Sequence, residues 1–106
     1  MTHLTTHVLD AATGTPAAGV AITLARLDGE TIAEGTTDAD GRLALGPDRL
    51  ADGDYALTFG TGAYFRERGV ASFHPVATVA FTVGGEGHLH VPLLLSPFAY
   101  STYRGS

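Results

Sequence analysis

The sequence contains no cysteine, and this absence removes several classes of site at once. Disulfide frameworks, thiolate-ligated zinc sites and cysteine nucleophiles all depend on the thiol. The same absence does not decide the redox compartment, because a protein of either compartment can lack disulfides.

Lysine is also absent, so the six positively charged side chains are all arginines, and they are spread along the chain. The formal net charge is -5 at pH 7. Proteins that bind nucleic acid or anionic lipid usually present a basic patch. We therefore expect no nucleic-acid partner.

Long hydrophobic runs are missing, although 44% of the residues are hydrophobic. No stretch approaches the ~20 apolar residues that a transmembrane helix needs. The basic segment and apolar core of a signal peptide are also missing, since Met1 and Thr2 lead directly into the first predicted strand. We expect no membrane contact and a cytoplasmic location, with residues 1–106 forming a single domain.

What the sequence does contain is a set of short runs rich in Val, Thr, Leu, Ile and aromatic residues, which alternate with a period of two. Fourteen glycines and five prolines punctuate them. Eight strands are predicted: 4–10, 19–27, 31–37, one beginning at 42, 54–60, 76–83, 88–96 and 100–104. The alternation fails at 61–68, which predicts one short helix with Thr61 as its cap and Gly69 at its end. The predicted fold is an all-β, two-sheet sandwich.

The strand over 88–96 has two unlike faces. Alternation places Leu89, Val91, Leu93 and Leu95 on one face. The other face carries His88, His90, Pro92 and Leu94. This second face is too apolar for open solvent and too polar for a sealed core, which favours a subunit interface or a lined cleft. Pro92 cannot donate to a ladder, so it is predicted either at an edge or at a non-bonded position, which makes a central strand paired on both sides less expected there. Edge strands recruit partners.

Four segments carry a resemblance to a known family: 4–10 (LTTHVLD), 37–42 (TDADGR), 88–97 (HLHVPLLLSP) and 100–106 (YSTYRGS). Together they resemble the 5-hydroxyisourate hydrolases, the transthyretin-related enzymes of urate breakdown. The resemblance implies an eight-stranded transthyretin-like (prealbumin-like) sandwich with one short helix. It also implies a homotetramer whose subunits enclose a central channel that holds the active sites.

The resemblance further implies catalytic roles for His7, Arg42 and His90 and a substrate-binding role for Tyr103. Opening a cyclic acyl–nitrogen bond without metal or cofactor requires a base for water, a donor for the oxyanion and groups that orient the ring. Two histidines can divide the acid and base roles. The planar guanidinium of Arg42 suits a ring with adjacent carbonyl oxygens.

Further candidates come from the chain end. Ser101 shares a face with Tyr103 by alternation and is a second candidate for substrate contact, beside His7 and Arg42. His88, Arg104 and Ser106 are secondary candidates. A covalent mechanism through Ser106 is disfavoured, because no Gly-x-Ser-x-Gly elbow accompanies it.

Each site residue also has an ordinary structural interpretation. His7 could be an exposed strand histidine, and Arg42 could pair with Asp38 or Asp40, a contact worth ~0–1 kcal/mol at a surface. His88 and His90 point the same way and could bind a metal, but no carboxylate or cysteine lies at ligand spacing, so we expect no metal and no cofactor.

Three functions remain open at this point. The first is hydrolysis of a small molecule, 5-hydroxyisourate, to 2-oxo-4-hydroxy-4-carboxy-5-ureidoimidazoline in purine catabolism. The second is a carrier that binds small aromatic ligands in the same channel. The third is a structural sandwich subunit.

Overall fold

Nine strands and one helix are present in the computed structural model, which describes residues 3–106; Met1 and Thr2 lie outside the described residues. In chain order they are β1 (Leu4–Asp10), β2 (Thr15–Pro16), β3 (Ala21–Arg26), β4 (Thr31–Thr36), β5 (Arg42–Leu45), β6 (Gly53–Phe59), α1 (Thr61–Glu67), β7 (Ala77–Val83), β8 (Leu89–Ser96) and β9 (Ala99–Thr102). The two-residue β2 is an addition to the eight predicted strands.

The strands form two sheets, which confirms the predicted sandwich. One sheet has the order β2-β1-β8-β9, with β5 paired to the first part of β1. The other has the order β4-β3-β6-β7. All pairs are antiparallel except β1 with β8, which run parallel.

Alternating burial along the strands builds the core between the sheets. In β1 and β6 every second residue is buried. Among the core side chains with at most 1% of their surface exposed are Leu4, Val8, Ile22, Leu24, Tyr55, Leu57, Phe59, Leu93 and Leu95. Each fully buried side chain of this kind contributes about 1.5–3 kcal/mol by removal from water. The opposite residues of β1 and β8 are left on the outer face of the first sheet.

Of the two positions predicted for Pro92, the edge strand is wrong and the non-bonded position is confirmed. β8 is paired on both sides, with β1 and with β9. The proline is accommodated because the β8–β9 ladder ends at Leu93↔Thr102, and the next contact is an isolated bridge between His90 and Gly105. The missing N–H of Pro92 falls in this gap, and its carbonyl accepts a hydrogen bond from the Thr102 hydroxyl at 2.7 Å.

Helix α1 lies where the sequence predicted it, with one difference at its start. Its N-cap is Gly60, so the prediction that Thr61 caps the helix is wrong: Thr61 is the first helical residue. The end is as predicted, because the Gly69 N–H bonds to the Arg66 carbonyl and the Val70 N–H to the Phe65 carbonyl, a Schellman motif. Among residues 3–106 we find no helix with the length and apolarity needed to span a bilayer.

A buried hydrogen bond joins α1 to the end of β1. The Tyr64 hydroxyl donates to Asp10 Oδ2 at 2.9 Å, and the Arg68 guanidinium carbon lies 3.7 Å from the centre of the Tyr64 ring. Burial raises the pKa of Tyr64 above its ordinary value of 10.0, and the Asp10 hydrogen bond acts in the same direction. This bond fixes the helix against the sheet that carries the candidate site.

Candidate active site

Strand register brings the three predicted catalytic residues to neighbouring positions. His7 of β1 lies opposite Arg42 of β5, and Thr5 lies opposite His90 of β8. Because strand side chains alternate, Thr5 and His7 emerge on the same outer face. The register therefore places two imidazoles and one guanidinium on three adjacent strands of one sheet.

A tight turn before β5 positions Arg42. The Asp38 carboxylate accepts hydrogen bonds from the backbone N–H groups of Asp40 at 2.9 Å and Arg42 at 3.0 Å. Gly41 has φ 74°, and a Cβ there would also meet the Val8 carbonyl oxygen, so the turn requires glycine. The Asp-Gly sequence is thus the local reason that β5 begins beside His7.

The orientation of His7 follows from one contact. Its Nε2 lies 2.9 Å from the backbone carbonyl oxygen of Asp40. A carbonyl can only accept, so Nε2 carries the hydrogen and donates it. Nδ1 of the neutral ring is therefore left with its lone pair, and the side chain is only half-buried.

The other two histidines of the outer face meet at one hydroxyl. Thr5 Oγ1 lies 2.8 Å from His90 Nδ1 and 3.0 Å from His88 Nε2. His90 is half-buried, whereas His88 is exposed. The contact holds the His90 ring by Nδ1, which leaves Nε2 as the nitrogen available to a ligand.

The surroundings of His90 keep its ring neutral. Burial lowers the pKa of His90 below its ordinary value of 6.5, and the positive charge of Arg42, together with any charge on the His88 and His7 rings, acts in the same direction. A hydrogen bond with the Thr5 backbone opposes these effects by raising the pKa. At pH 7 the ring is therefore an unprotonated base.

Arg42 is available to a ligand. Its side chain is exposed and forms no ion pair with any of residues 3–106. The alternative pairing with Asp38 or Asp40 is not formed among the described residues; Asp38 Oδ1 instead accepts hydrogen bonds from two backbone N–H groups. A free guanidinium beside two imidazoles is suited to bind an anionic or carbonyl-rich ring.

Arg42, His88 and His90 line an open groove of about 420 Å³, whereas His7 lies beside Arg42 outside the residues that line it. Its walls are Thr5, Thr6, Asp38, Arg42, Leu43, Ala44, His88, His90 and Ser106. The chain end reaches the groove because the Gly105 N–H donates to the His90 carbonyl at 2.8 Å, laying the last residues across β8. The volume lies within the range of about 300–1,000 Å³ that is usual for small-molecule sites.

The other tail residues predicted for the site lie elsewhere in a single chain. Tyr103 and Arg104 line a second cleft of about 330 Å³ between β7 and the β8–β9 pair, and Tyr103 is 58% exposed. His90 lines both hollows. Ser101 of β9 is exposed and lies opposite Leu94 of β8. Their predicted contact with substrate stays a prediction.

Comparison with known proteins identifies the family of this chain. The sequence profile described as the HIUase/Transthyretin family matches residues 4–105. The chain belongs to the HIUase/transthyretin family. The resemblance stated from the sequence segments is confirmed by this match, and the family match covers both β1 and the tail.

Similar proteins in the HIUase/transthyretin family include enzymes and a binding protein. A 5-hydroxyisourate hydrolase of Caulobacter vibrioides is 49% identical over 100% of both chains. The solved 5-hydroxyisourate hydrolase of Klebsiella pneumoniae is 46% identical, with a TM-score of 0.90 over 97% of this chain and 98% of that one. Sea bream transthyretin, solved in complex with thyroxine, is 39% identical, with a TM-score of 0.89 over 97% and 94% of the two chains.

The described part of this family member contains no group of three or more His, Asp or Glu side chains placed to hold a metal ion. The His88–His90 pair instead shares the Thr5 hydroxyl. Both imidazoles therefore serve as hydrogen-bonding groups in this arrangement.

Two residues that contact the His90 ring were not predicted from the sequence. Thr5 shares the face of His7 by simple alternation, but its contact with His88 and His90 depends on the parallel pairing of β1 and β8. Gly105 lies against the His90 ring, where an added Cβ would be 2.6 Å from His90 Cδ2. The position of Gly105 inside the tail motif was the only available signal.

Proposed function

We propose that this protein hydrolyses 5-hydroxyisourate by water attack assisted by His90, Arg42 and His7. The observation that carries the proposal is the register that sets His7 beside Arg42 and Thr5 beside His90 on one face. Relatives of 40–49% identity that are named 5-hydroxyisourate hydrolase or its probable equivalent support the substrate.

In the proposed mechanism His90 acts first. Its Nε2 takes a proton from water as the water oxygen attacks the ring carbonyl carbon. The lowered pKa of His90 keeps the base unprotonated at neutral pH. The proton is then delivered to the leaving ring nitrogen as the carbon–nitrogen bond breaks.

Arg42 and His7 complete the proposed mechanism. The Arg42 guanidinium donates to the oxygen on which negative charge develops, a contribution that grows as water is excluded from the site. The His7 ring is fixed by the Asp40 carbonyl, so its Nδ1 lone pair can accept a hydrogen bond from a substrate N–H. Donor and acceptor groups at set positions orient a flat heterocycle for attack.

The proposed product is 2-oxo-4-hydroxy-4-carboxy-5-ureidoimidazoline, which places the protein after urate oxidation in purine catabolism. The direct test generates 5-hydroxyisourate with urate oxidase and follows its ultraviolet decay. We expect purified protein to accelerate the decay in proportion to its concentration. Decay at the spontaneous rate at every protein concentration would reject the proposal.

We also propose that the groove is completed in a homotetramer. The groove is open to solvent in one chain, and the outer face of the same sheet carries the half-buried apolar side chains of Leu9 and Leu94. In an assembly, Tyr103 and Ser101 of one subunit could reach the groove of another. A solution mass by light scattering tests this, and a monomeric mass at assay concentration would contradict it.

A carrier function is the second candidate, because a relative solved with thyroxine shares the fold. The groove favours hydrolysis, because its imidazole and guanidinium groups supply proton acceptors and donors that an apolar ligand site does not require. Calorimetric titration with thyroxine distinguishes the two functions. Tight thyroxine binding without acceleration of 5-hydroxyisourate decay would favour the carrier.

A further inference from the structure

The Thr5 hydroxyl lies between two histidine rings, and the number of hydrogens available there limits which groups can donate. A hydroxyl carries one hydrogen and can both donate and accept. Thr5 Oγ1 contacts two ring nitrogens, His90 Nδ1 at 2.8 Å and His88 Nε2 at 3.0 Å. The single hydrogen can satisfy only one of them, so at least one ring must supply an N–H to the oxygen.

We infer that Thr5 is a positioning residue that links His90 and His88 as a proton relay, an inference that rests on the proposed hydrolase function. His90 Nδ1–H donates to Thr5 Oγ1, and the Thr5 hydroxyl donates to His88 Nε2. This orientation leaves the His90 Nε2 lone pair directed to the groove, where the attacking water must lose a proton.

The relay balances over one turnover. When His90 Nε2 gains the proton of water, the Nδ1 proton passes to Thr5 Oγ1, and the hydroxyl hydrogen passes to His88 Nε2. The positive charge then lies on His88. When His90 Nε2 delivers its proton to the leaving nitrogen, the two transfers reverse and both rings regain their starting tautomers. No proton is gained or lost along the chain of three groups.

Burial gives the relay its physical advantage. A positive charge is disfavoured on a half-buried ring that already lies near Arg42, whereas exposed His88 is hydrated. The hydrogen bond by which the Thr5 backbone favours the protonated His90 ring is consistent with a ring N–H directed toward Thr5. The relay therefore moves the charge from the less favourable site to the more favourable one.

The test compares Thr5→Val, which removes the hydroxyl and keeps the branched shape, with Thr5→Ser, which keeps a hydroxyl. Thr23→Val is the matched control, because Thr23 is also half-buried in a strand paired on both sides and makes no side-chain hydrogen bond within residues 3–106. The readouts are kcat and KM for 5-hydroxyisourate and the His90 tautomer from nitrogen-15 NMR.

We expect Thr5→Val to lower kcat about tenfold, with KM nearly unchanged, which is a part of the ~10²–10⁴ that general base catalysis supplies. Thr5→Ser should restore most of the rate, and Thr23→Val should behave as wild type. In a second series, His88→Asn should lower kcat by a similar factor. The double variant Thr5→Val/His88→Asn should lose no more than either single variant, because both interrupt one path.

The NMR measurement separates failure of the relay from failure of the hydrolase proposal. Wild-type His90 should carry its proton on Nδ1, and Thr5→Val should shift the ring toward the Nε2–H tautomer. A wild-type Nε2–H tautomer would overturn the relay whatever the activity. Multiplicative losses in the double variant would also overturn it. Absence of hydrolysis by wild type, with the Nδ1–H tautomer found, would reject the hydrolase proposal and leave the arrangement at Thr5 established.

Discussion

Replacing Gly105 by alanine tests how closely the tail controls His90. An ideal Cβ at this position would lie 2.6 Å from His90 Cδ2 and 3.2 Å from Pro92 Cγ. Non-bonded carbon atoms prefer about 3.5–4.0 Å, so either the imidazole or the tail must move by about 1 Å. The imidazole is restrained by its 2.8 Å contact with Thr5, and Pro92 is fixed within the sheet.

The expected displacement of His90 or the tail predicts a loss of catalytic rate. A misplacement of about 1 Å in a catalytic geometry can cost about 100-fold, so we expect Gly105→Ala to lower kcat/KM for 5-hydroxyisourate by about that factor. If the tail moves instead, the Gly105–His90 backbone hydrogen bond of 2.8 Å is lost and Ser106 leaves the groove. The free energy of unfolding should change by only about 1 kcal/mol, the usual net worth of one such bond.

The assay is the ultraviolet decay of 5-hydroxyisourate, with urea denaturation measured in parallel. Gly84→Ala is the control, because a Cβ at Gly84 meets nothing within 4 Å and Gly84 lacks a positive φ. Wild-type kcat/KM in Gly105→Ala would refute the argument that the tail positions His90. Loss of rate accompanied by global unfolding would equally refute it, because the effect would then be one of stability.

Two further predictions concern pH and stability. Because the pKa of His90 is lowered from 6.5 and the base must be unprotonated, the decline of kcat/KM with falling pH should be centred below pH 6.5; a decline centred above 6.5 would contradict the assignment. Tyr64→Phe should lower the free energy of unfolding by about 1–3 kcal/mol in urea denaturation, since a buried Asp10 oxygen loses its donor. The control Tyr100→Phe, at an exposed position, should change it by less than about 0.5 kcal/mol, and equal losses in the two variants would contradict the role of the Asp10 bond.

The local features of the fold could be predicted because they depend on neighbouring residues. Period-two alternation located the strands, and the turn at Asp38–Gly41 was evident from its Asp and Gly residues. The end of α1 at Gly69 was likewise a local signal. Thr61 was misassigned as the cap because the Gly60 before it takes that position.

The predictions that failed, or that could not be made, concern features that depend on contacts between distant parts of the chain. Pro92 left an edge strand and a non-bonded position open, and the edge alternative failed because β8 pairs both with β1, which is distant in sequence, and with β9, whose ladder breaks where the proline lies. The hydroxyl of Thr5 is important only once parallel pairing brings it to His88 and His90. Neither the pairing direction nor the break is encoded in a local pattern.

The candidate site was predictable in part for the same reason. His7, Arg42 and His90 came from short motifs, and the structure brings them to one face. Tyr103 came from the same tail motif, yet in a single chain it lines the second cleft with Arg104. Whether a neighbouring subunit brings Tyr103 to the groove is a property of the assembly, which sequence periodicity does not contain.

The most direct measurement of the central proposal is kcat/KM for 5-hydroxyisourate in His90→Asn, with His74→Asn as a histidine control that lies in a separate hollow beside Phe73 and Tyr100. Loss of the groove base should lower kcat/KM by ~10²–10⁴, while the control keeps the wild-type value. Equal rates in His90→Asn and wild type would contradict the assignment of His90 as the base.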